Sequence, residues 1–291
     1  MTLLQWLGLT LLSLTVAASG VHAYGSRRWA ARIRVLTQGL EAARTNGRVG
    51  SSSPARFEPR ELEGLPAPVQ RYFRTVLKEG QPIVSSLAIE MVGTFNLSTT
   101  TEHWRPFKSR QLVVTQRPGF LWDAQVSMLP GLMVGVVDSY VAGAGLLHAA
   151  VLGLFTVAEV QGGGEIARGE FLRFFAEAAW YPTALLPSQG VRWEGIDDHS
   201  ANASIVDGAL SLTLLFRFNH AGLIESVRAA ARGSRVGNQV VMLPWDCRFS
   251  DYQMRDGMTV PMTGEAAWML PEGRKPYFRG TIESLRYEFA R

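Results

Sequence analysis

At 291 residues, 47% hydrophobic and 19% charged, the chain has the balance of an ordinary globular protein, long enough for one large domain or two small ones. Its net charge of +4 gathers in one tight cluster, Arg27, Arg28, Arg32 and Arg34; with no basic stripe or nucleic-acid motif elsewhere, nucleic acid is not an expected partner. The single cysteine, Cys247, excludes an internal disulfide framework.

Leu3 to Ala23, LLQWLGLTLLSLTVAASGVHA, carries no charge and matches the roughly 20 residues of a membrane-spanning helix. A cleaved signal peptide is the rival, because Val21-His22-Ala23 resembles a small-residue cleavage site. The absence of Lys or Arg before Leu3 weighs against cleavage and favours an uncleaved single-pass anchor. The arginines on its far side lean toward a cytoplasmic body. Trp29 to Arg44 reads as a basic helix with Trp29, Ile33, Leu36 and Leu40 on one face: a lipid-surface helix, or a plain stalk lifting the body off the bilayer. Asn46 to Pro54, NGRVGSSSP, has the composition of a flexible linker. The expected division is an anchor or signal segment over 1–24, stalk and linker over 25–56, and a single domain over 57–291.

In the body, Pro66 and Pro68 open a short docking helix with Val69, Tyr72, Phe73, Val76 and Leu77 on its buried face. From Ile83 the period changes to two, predicting strands over Ile83–Leu97, Trp104–Gln116 and Phe120–Met128. Leu132–Val160 reads as two covered strands broken at Ala142-Gly143-Ala144-Gly145, in preference to a second membrane span over Ser139–Ala158. Asp138 is then a polar residue in an apolar strand, at an edge or in a pocket. Gly162-Gly163-Gly164 is a poor phosphate cradle, since Glu165 follows and no lysine does; it reads as a strand-to-helix turn.

The clearest amphipathic helix runs from Glu165 to Trp180. Phe171, Phe174, Phe175 and Ala178 form one stripe, and Glu170, Arg173 and Glu177 pair at helical spacing nearby. A meander follows: Val191–Gly195, Ala201–Val206, Leu210–Phe218 across the Asp207-Gly208 turn, Leu223–Ala231, Val236–Phe249, Asp251–Met254, Met258–Leu270 and Tyr277–Phe289.

Little of this carries chemistry on its face. Asp197, Asp198 and His199, with Glu194 near, form the densest acidic and histidine group, but in a turn they cap backbone more readily than they hold a metal. No metal and no cofactor is expected, and no hydrolase elbow, zinc helix or C-x-x-C is present. The aromatics around the predicted strands fill a core or line an apolar cavity. The candidate ligand-binding residues are Trp180, Tyr181, Glu177, Trp193, Asp138, Trp245 and Trp268.

Three strings, LPAPVQRYFRTVL (65–77), FFAEAAWYPTALLPSQGVRWEGIDD (174–198) and FSDYQMRDGMTVPMTGEAAWMLPEGRKPYF (249–278), resemble a bacterial family of domains of unknown function with an N-terminal membrane segment. That resemblance implies a bacterial inner-membrane location and carries no activity or catalytic residue. The strand order is similar to that of the periplasmic lipoprotein carriers, which implies an open half-barrel and, against the charge pattern, a periplasmic body. The expected fold is α+β: a large curved antiparallel sheet with helices on its concave face. The expected function is a membrane-tethered module binding a lipid or other apolar ligand between helix and sheet. Its rivals are a membrane-surface enzyme using Glu177, Asp138 or the Asp197/Asp198/His199 group, and a protein-interaction scaffold. The oligomeric state is left open.

Overall fold

A computed structural model describes residues 2–47, 54–96, 98, 101–129, 131–236 and 239–290. The linker expected over Asn46–Pro54 falls, from Arg48 to Ser53, outside the described residues.

Among the described residues three α-helices, α1 (Leu3–Gly47), α2 (Ala67–Val76) and α3 (Glu165–Ala176), accompany thirteen strands. The first six are β1 (Val84–Asn96), β2 (Trp104–Val114), β3 (Gly119–Leu129), β4 (Leu132–Val141), β5 (Ala144–Val151) and β6 (Phe155–Gly162). After α3 and three 3-10 turns come β7 (Arg192–Asp197), β8 (Ser200–Asp207), β9 (Leu210–Phe218) and β10 (Ile224–Val236). The last are β11 (Gln239–Arg255), β12 (Met258–Leu270) and β13 (Gly273–Phe289).

All thirteen strands form one antiparallel sheet in the order β6-β5-β4-β3-β2-β1-β13-β12-β11-β10-β9-β8-β7. This is a meander bent into a ring, with its first and last strands paired and a seam left between β6 and β7. Curvature follows from α3, which touches β3 to β6 on one arm and β9 and β10 on the other. β5 and β10 stand eight places apart, which in a flat sheet is about 38 Å, several times the width of a helix. One helix can meet both only if the sheet wraps around it. The expected half-barrel with a helix on its concave face is what forms, because the sequence between β6 and β7 leaves the sheet at the seam and fills the interior.

Two ends follow from the hairpins. The β2–β3, β4–β5, β7–β8, β9–β10 and β11–β12 turns lie at the base, and the β1–β2, β3–β4, β5–β6, β10–β11 and β12–β13 turns at the opposite end, the mouth, while the β8–β9 turn reaches the base end of β4, where Tyr140 Oη donates to Asp207 Oδ2 at 2.5 Å. α2 stops the base. Tyr72 packs on Phe218 with ring centroids 5.6 Å apart, Gly222 lies against Arg71 and Thr75, and Gln81 Nε2 donates to the Asp256 carbonyl at 3.2 Å. Val69, Tyr72, Phe73 and Val76 are buried, as their spacing predicts.

Three expectations change. Leu132–Val160 makes three strands, not two, because the chain turns again at Leu152-Gly153. Leucine at a φ of 53° is not a residue that announces a turn, and Gly25 of α1 packs directly against it. β11 runs unbroken through Asp251, at φ 54°, where two strands were expected. And α1 does not stand free as a stalk below Ala23. Trp29 and Leu40 pack with Val114, Leu121, Val137, Leu146 and Ala150 on the outer surface of β2 to β5. Trp29 Nε1 donates to Asp123 Oδ1 at 2.9 Å, its ring stacks on His148, and Gly135 is the seat: a Cβ there would stand 2.8 Å from the indole.

Leu3 to Ala23 project beyond the body with their apolar side chains exposed. Among the described residues α1 is the one helix long and apolar enough to cross a membrane, a property that signal sequences share.

Candidate functional site

α3 enters the cup from a glycine turn and is buried almost all round, since sheet lies on both sides of it. Phe171, Phe174, Phe175 and Ala178 meet the core. The opposite stripe, Glu170, Arg173 and Glu177 at i, i+3 and i+7, reads in sequence as ordinary helix-surface pairing, and here the structure corrects it. These side chains point inward and form the floor of a cavity of about 580 Å³. That volume falls within the 300–1,000 Å³ common for small-molecule sites.

Arg173 is the centre of the floor. It donates to Asp138 and Glu177, both at 2.7 Å, and its guanidinium lies 4.7 Å from the centre of the Trp122 ring and 5.0 Å from that of Phe120. Gln111 Nε2 donates to the other Glu177 oxygen at 2.6 Å. Burial opposes the Arg173 charge, but the carboxylates of Glu177, Asp138 and Glu170 outweigh it and hold its pKa above the usual value. Asp138, the polar residue expected at an edge or in a pocket, thus faces the pocket with Oδ2 paired to a guanidinium.

A second arginine, Arg232 on β10, stands 4.5 Å over the Trp245 ring, 3.2 Å from Tyr277 Oη and 3.9 Å from Glu170. Tyr277 Oη also accepts from Trp245 Nε1 at 2.8 Å, and its ring stacks on Trp268. Glu170 is 3% exposed, and burial together with the Asp138 charge pushes its pKa up to about 8. Burial likewise raises Asp138. Two guanidiniums thus face three carboxyl groups, and a proton held on Glu170 leaves the set neutral. Three buried polar atoms of the lining have no protein partner: Glu170 Oε2, Asp138 Oδ1 and Trp180 Nε1. Leaving such a group unmade costs about 1–3 kcal/mol each, so they are places for a ligand's polar atoms.

The walls are apolar: Trp245, Trp268, Tyr277 and Phe278 on one side, Leu147 and Val160 on the other. The lining reaches the mouth-end hairpins at Ser234, Val240 and Leu270, and no residue of a base-end hairpin turn contributes to it. The lining comes to the surface at the mouth and, beside the seam, at exposed Glu165.

Five of the seven candidate residues, Trp180, Glu177, Asp138, Trp245 and Trp268, line this cavity. Tyr181 and Trp193 do not. Tyr181 is wholly buried, with its hydroxyl on the Phe174 carbonyl; Trp193 packs on Phe73 and Phe216 and donates Nε1 to the Leu185 carbonyl at 2.9 Å. Both are core. Asp197 accepts the His199 amide at 2.8 Å in an exposed base turn, away from the cavity, which is backbone capping. Sequence reasoning passed over Glu170, Arg173, Arg232, Gln111 and Tyr277. One signal was available: the stripe of Glu170, Arg173 and Glu177 is narrow and has Ile166 within it, which is too little charge for a solvated helix face.

The molecule is an antiparallel meander cup with an internal helix and an apolar cavity over a charged floor. The chain belongs to the family of unknown function DUF6920, whose sequence profile matches residues 63–287. None of the curated proteins matches it. Among solved structures it is similar to a LolA-superfamily protein from Nitrosomonas europaea (10% identity, 77% of this chain and 93% of that one, TM-score 0.41). It is also similar to a β-barrel-like protein of domain of unknown function DUF1849 from Brucella abortus (9% identity, 73% and 99%, TM-score 0.26). A third is a porin-like protein from Bacteroides uniformis (7% identity, 71% and 96%, TM-score 0.24).

Proposed function

We propose that this protein is a membrane-anchored binding module that takes a single amphiphile into the cup. The apolar part would lie against Trp245, Trp268 and Phe278, and the polar head on the α3 floor. The observation that carries this reading is the cavity of about 580 Å³ whose floor holds unpartnered donor and acceptor atoms under aromatic walls. A floor near neutrality, which offers Asp138 Oδ1 as an acceptor and Trp180 Nε1 and protonated Glu170 as donors, suits a neutral or zwitterionic head bearing hydroxyl or amide groups. α1, exposed and apolar from Leu3 to Ala23, supports tethering by one membrane helix. The experiment is native mass spectrometry of the full chain released from detergent, followed by solvent extraction. An amphiphile bound at one per chain, and lost on filling the cavity with Leu243→Trp, is expected; a wild-type chain free of any such adduct refutes the reading.

One observation favours an enzyme as the second reading. Glu170 combines a pKa near 8, burial in a cavity and two arginines close by, the environment of a general acid or base. Asp138 and Glu177 would then serve to position Arg173. Turnover of any ester or amide amphiphile that Glu170→Gln abolishes without changing its binding would replace the carrier reading with this one.

A further inference from the structure

Six of the nine exposed large apolar side chains of the body, among the described residues, lie at the mouth: Leu129, Phe155, Val157, Val240, Val241 and Met242. The other three are Ile196 and Met254 at the base and Val206 beside the β8–β9 turn. The six come from β3 and β6 on one arm of the sheet and β11 on the other, whereas the β12–β13 tip is Pro271-Glu272-Gly273. An apolar crescent on one rim of a monomer marks a surface with a partner.

α1 says which partner. It packs down the outside of the sheet from mouth to base: Gly25 sits on the Leu152-Gly153 turn, with a Cβ on Gly153 meeting the Gly25 carbonyl oxygen at 2.6 Å, and Leu40 reaches Gly119 at the other end. Its apolar stretch therefore leaves the body at the mouth. From Ala23 to Gly25 is two residues, about 3 Å of helix. No slack separates the span from the rim, because the helix is unbroken and its lower half is docked. Arg27 and Arg28, one turn below, stand where anionic headgroups would lie.

We infer that the apolar crescent of the mouth rim docks into the same leaflet that α1 enters, so that the cavity opens onto the bilayer and exchanges its amphiphile with the membrane directly. This rests on reading α1 as a membrane helix, and it holds whether or not the cavity ligand has been identified. Phe155, Val157 and Val240 enter the interfacial layer, as the apolar face of an interfacial helix does.

The test uses the full chain, carrying Cys247→Ser, in proteoliposomes of phosphatidylethanolamine and phosphatidylglycerol. Environment-sensitive fluorophores are placed singly by Phe155→Cys and Val240→Cys at the rim, Ile196→Cys and Met254→Cys at the base, and Leu11→Cys in α1. Doxyl-labelled lipid is the quencher, and circular dichroism confirms that each variant is folded. Expected is a blue-shifted, strongly quenched signal at Leu11, Phe155 and Val240, with Ile196 and Met254 unquenched. Quenching at Leu11 but not at the rim overturns the docking inference alone, and an association of chains that shields the rim labels without quenching counts the same way. Equal quenching at rim and base overturns it too, since the body would then lie on its side. An unquenched Leu11 overturns it through the anchor reading instead.

Discussion

Arg173→Met tests whether the cavity floor is a balanced charge set. Methionine keeps an unbranched apolar stem of similar length but deletes the cation that Asp138 and Glu177 each bind at 2.7 Å. Removing one partner of a buried pair costs about 3–5 kcal/mol, because the remaining charges stay desolvated. For a body of this size that is a fall in Tm of roughly 6–20 °C. The deficit must also depend on pH. Without Arg173 the folded-state pKa values of Asp138 and Glu170, already raised by burial, rise further. A carboxyl whose pKa is raised on folding keeps its stability at low pH and loses it as pH climbs through the folded value. The variant should therefore approach wild type near pH 5 and fall furthest behind near pH 8. Thermal unfolding of the detergent-solubilised chain across that range measures it, with Arg173→Met/Asp138→Asn/Glu177→Gln as the variant expected to recover most of the loss. A deficit below about 1 kcal/mol, or one that is flat with pH, refutes the charge-balance argument.

Other outcomes follow from the same geometry. Glu170→Gln should flatten the decline of wild-type stability between its unfolded pKa of 4.5 and about 8, a gain at pH 8 on the order of a few kcal/mol; melts at pH 5 and pH 8 with equal slopes for both chains would contradict it. Tyr277→Phe leaves Trp245 Nε1 and Arg232 without their shared acceptor and should cost about 1–3 kcal/mol, read from urea unfolding, with a red shift in tryptophan emission. Trp29→Ala removes the indole seated on Gly135 and its bond to Asp123 and should cost about 3–5 kcal/mol locally. Hydrogen exchange over residues 25–44 should then speed up while α3 stays protected; unchanged protection there would mean that α1 is not held by this contact.

Much of the architecture is written in local pattern. The uncharged run from Leu3 to Ala23, the period-two alternation of Leu210 to Phe218 and the turn at Asp207-Gly208 need only neighbouring residues to be read, because hydropathy and turn chemistry are properties of short windows. So do the prolines that open α2 and the phenylalanine stripe of α3. Where local signals were weak, reading failed: the Leu152-Gly153 turn depends on Gly25, more than a hundred residues away, and a stalk cannot be told from a docked helix until the glycines that seat Trp29 are known to face it.

The site was less legible for the same reason. The sequence determined that an amphipathic helix would lie against a curved antiparallel sheet, and that Asp138 was a polar residue out of place in its strand. Only the tertiary structure decided that the helix is enclosed by both arms of the sheet. Enclosure turns an ordinary surface stripe into a buried floor. Arg232, brought from β10 to within 3.9 Å of Glu170, joins the carboxyls of Glu170 on α3, Glu177 just after it and Asp138 on β4, with Arg173, into one desolvated set. Low dielectric, and not residue type, is what raises Glu170 and makes those five side chains a site.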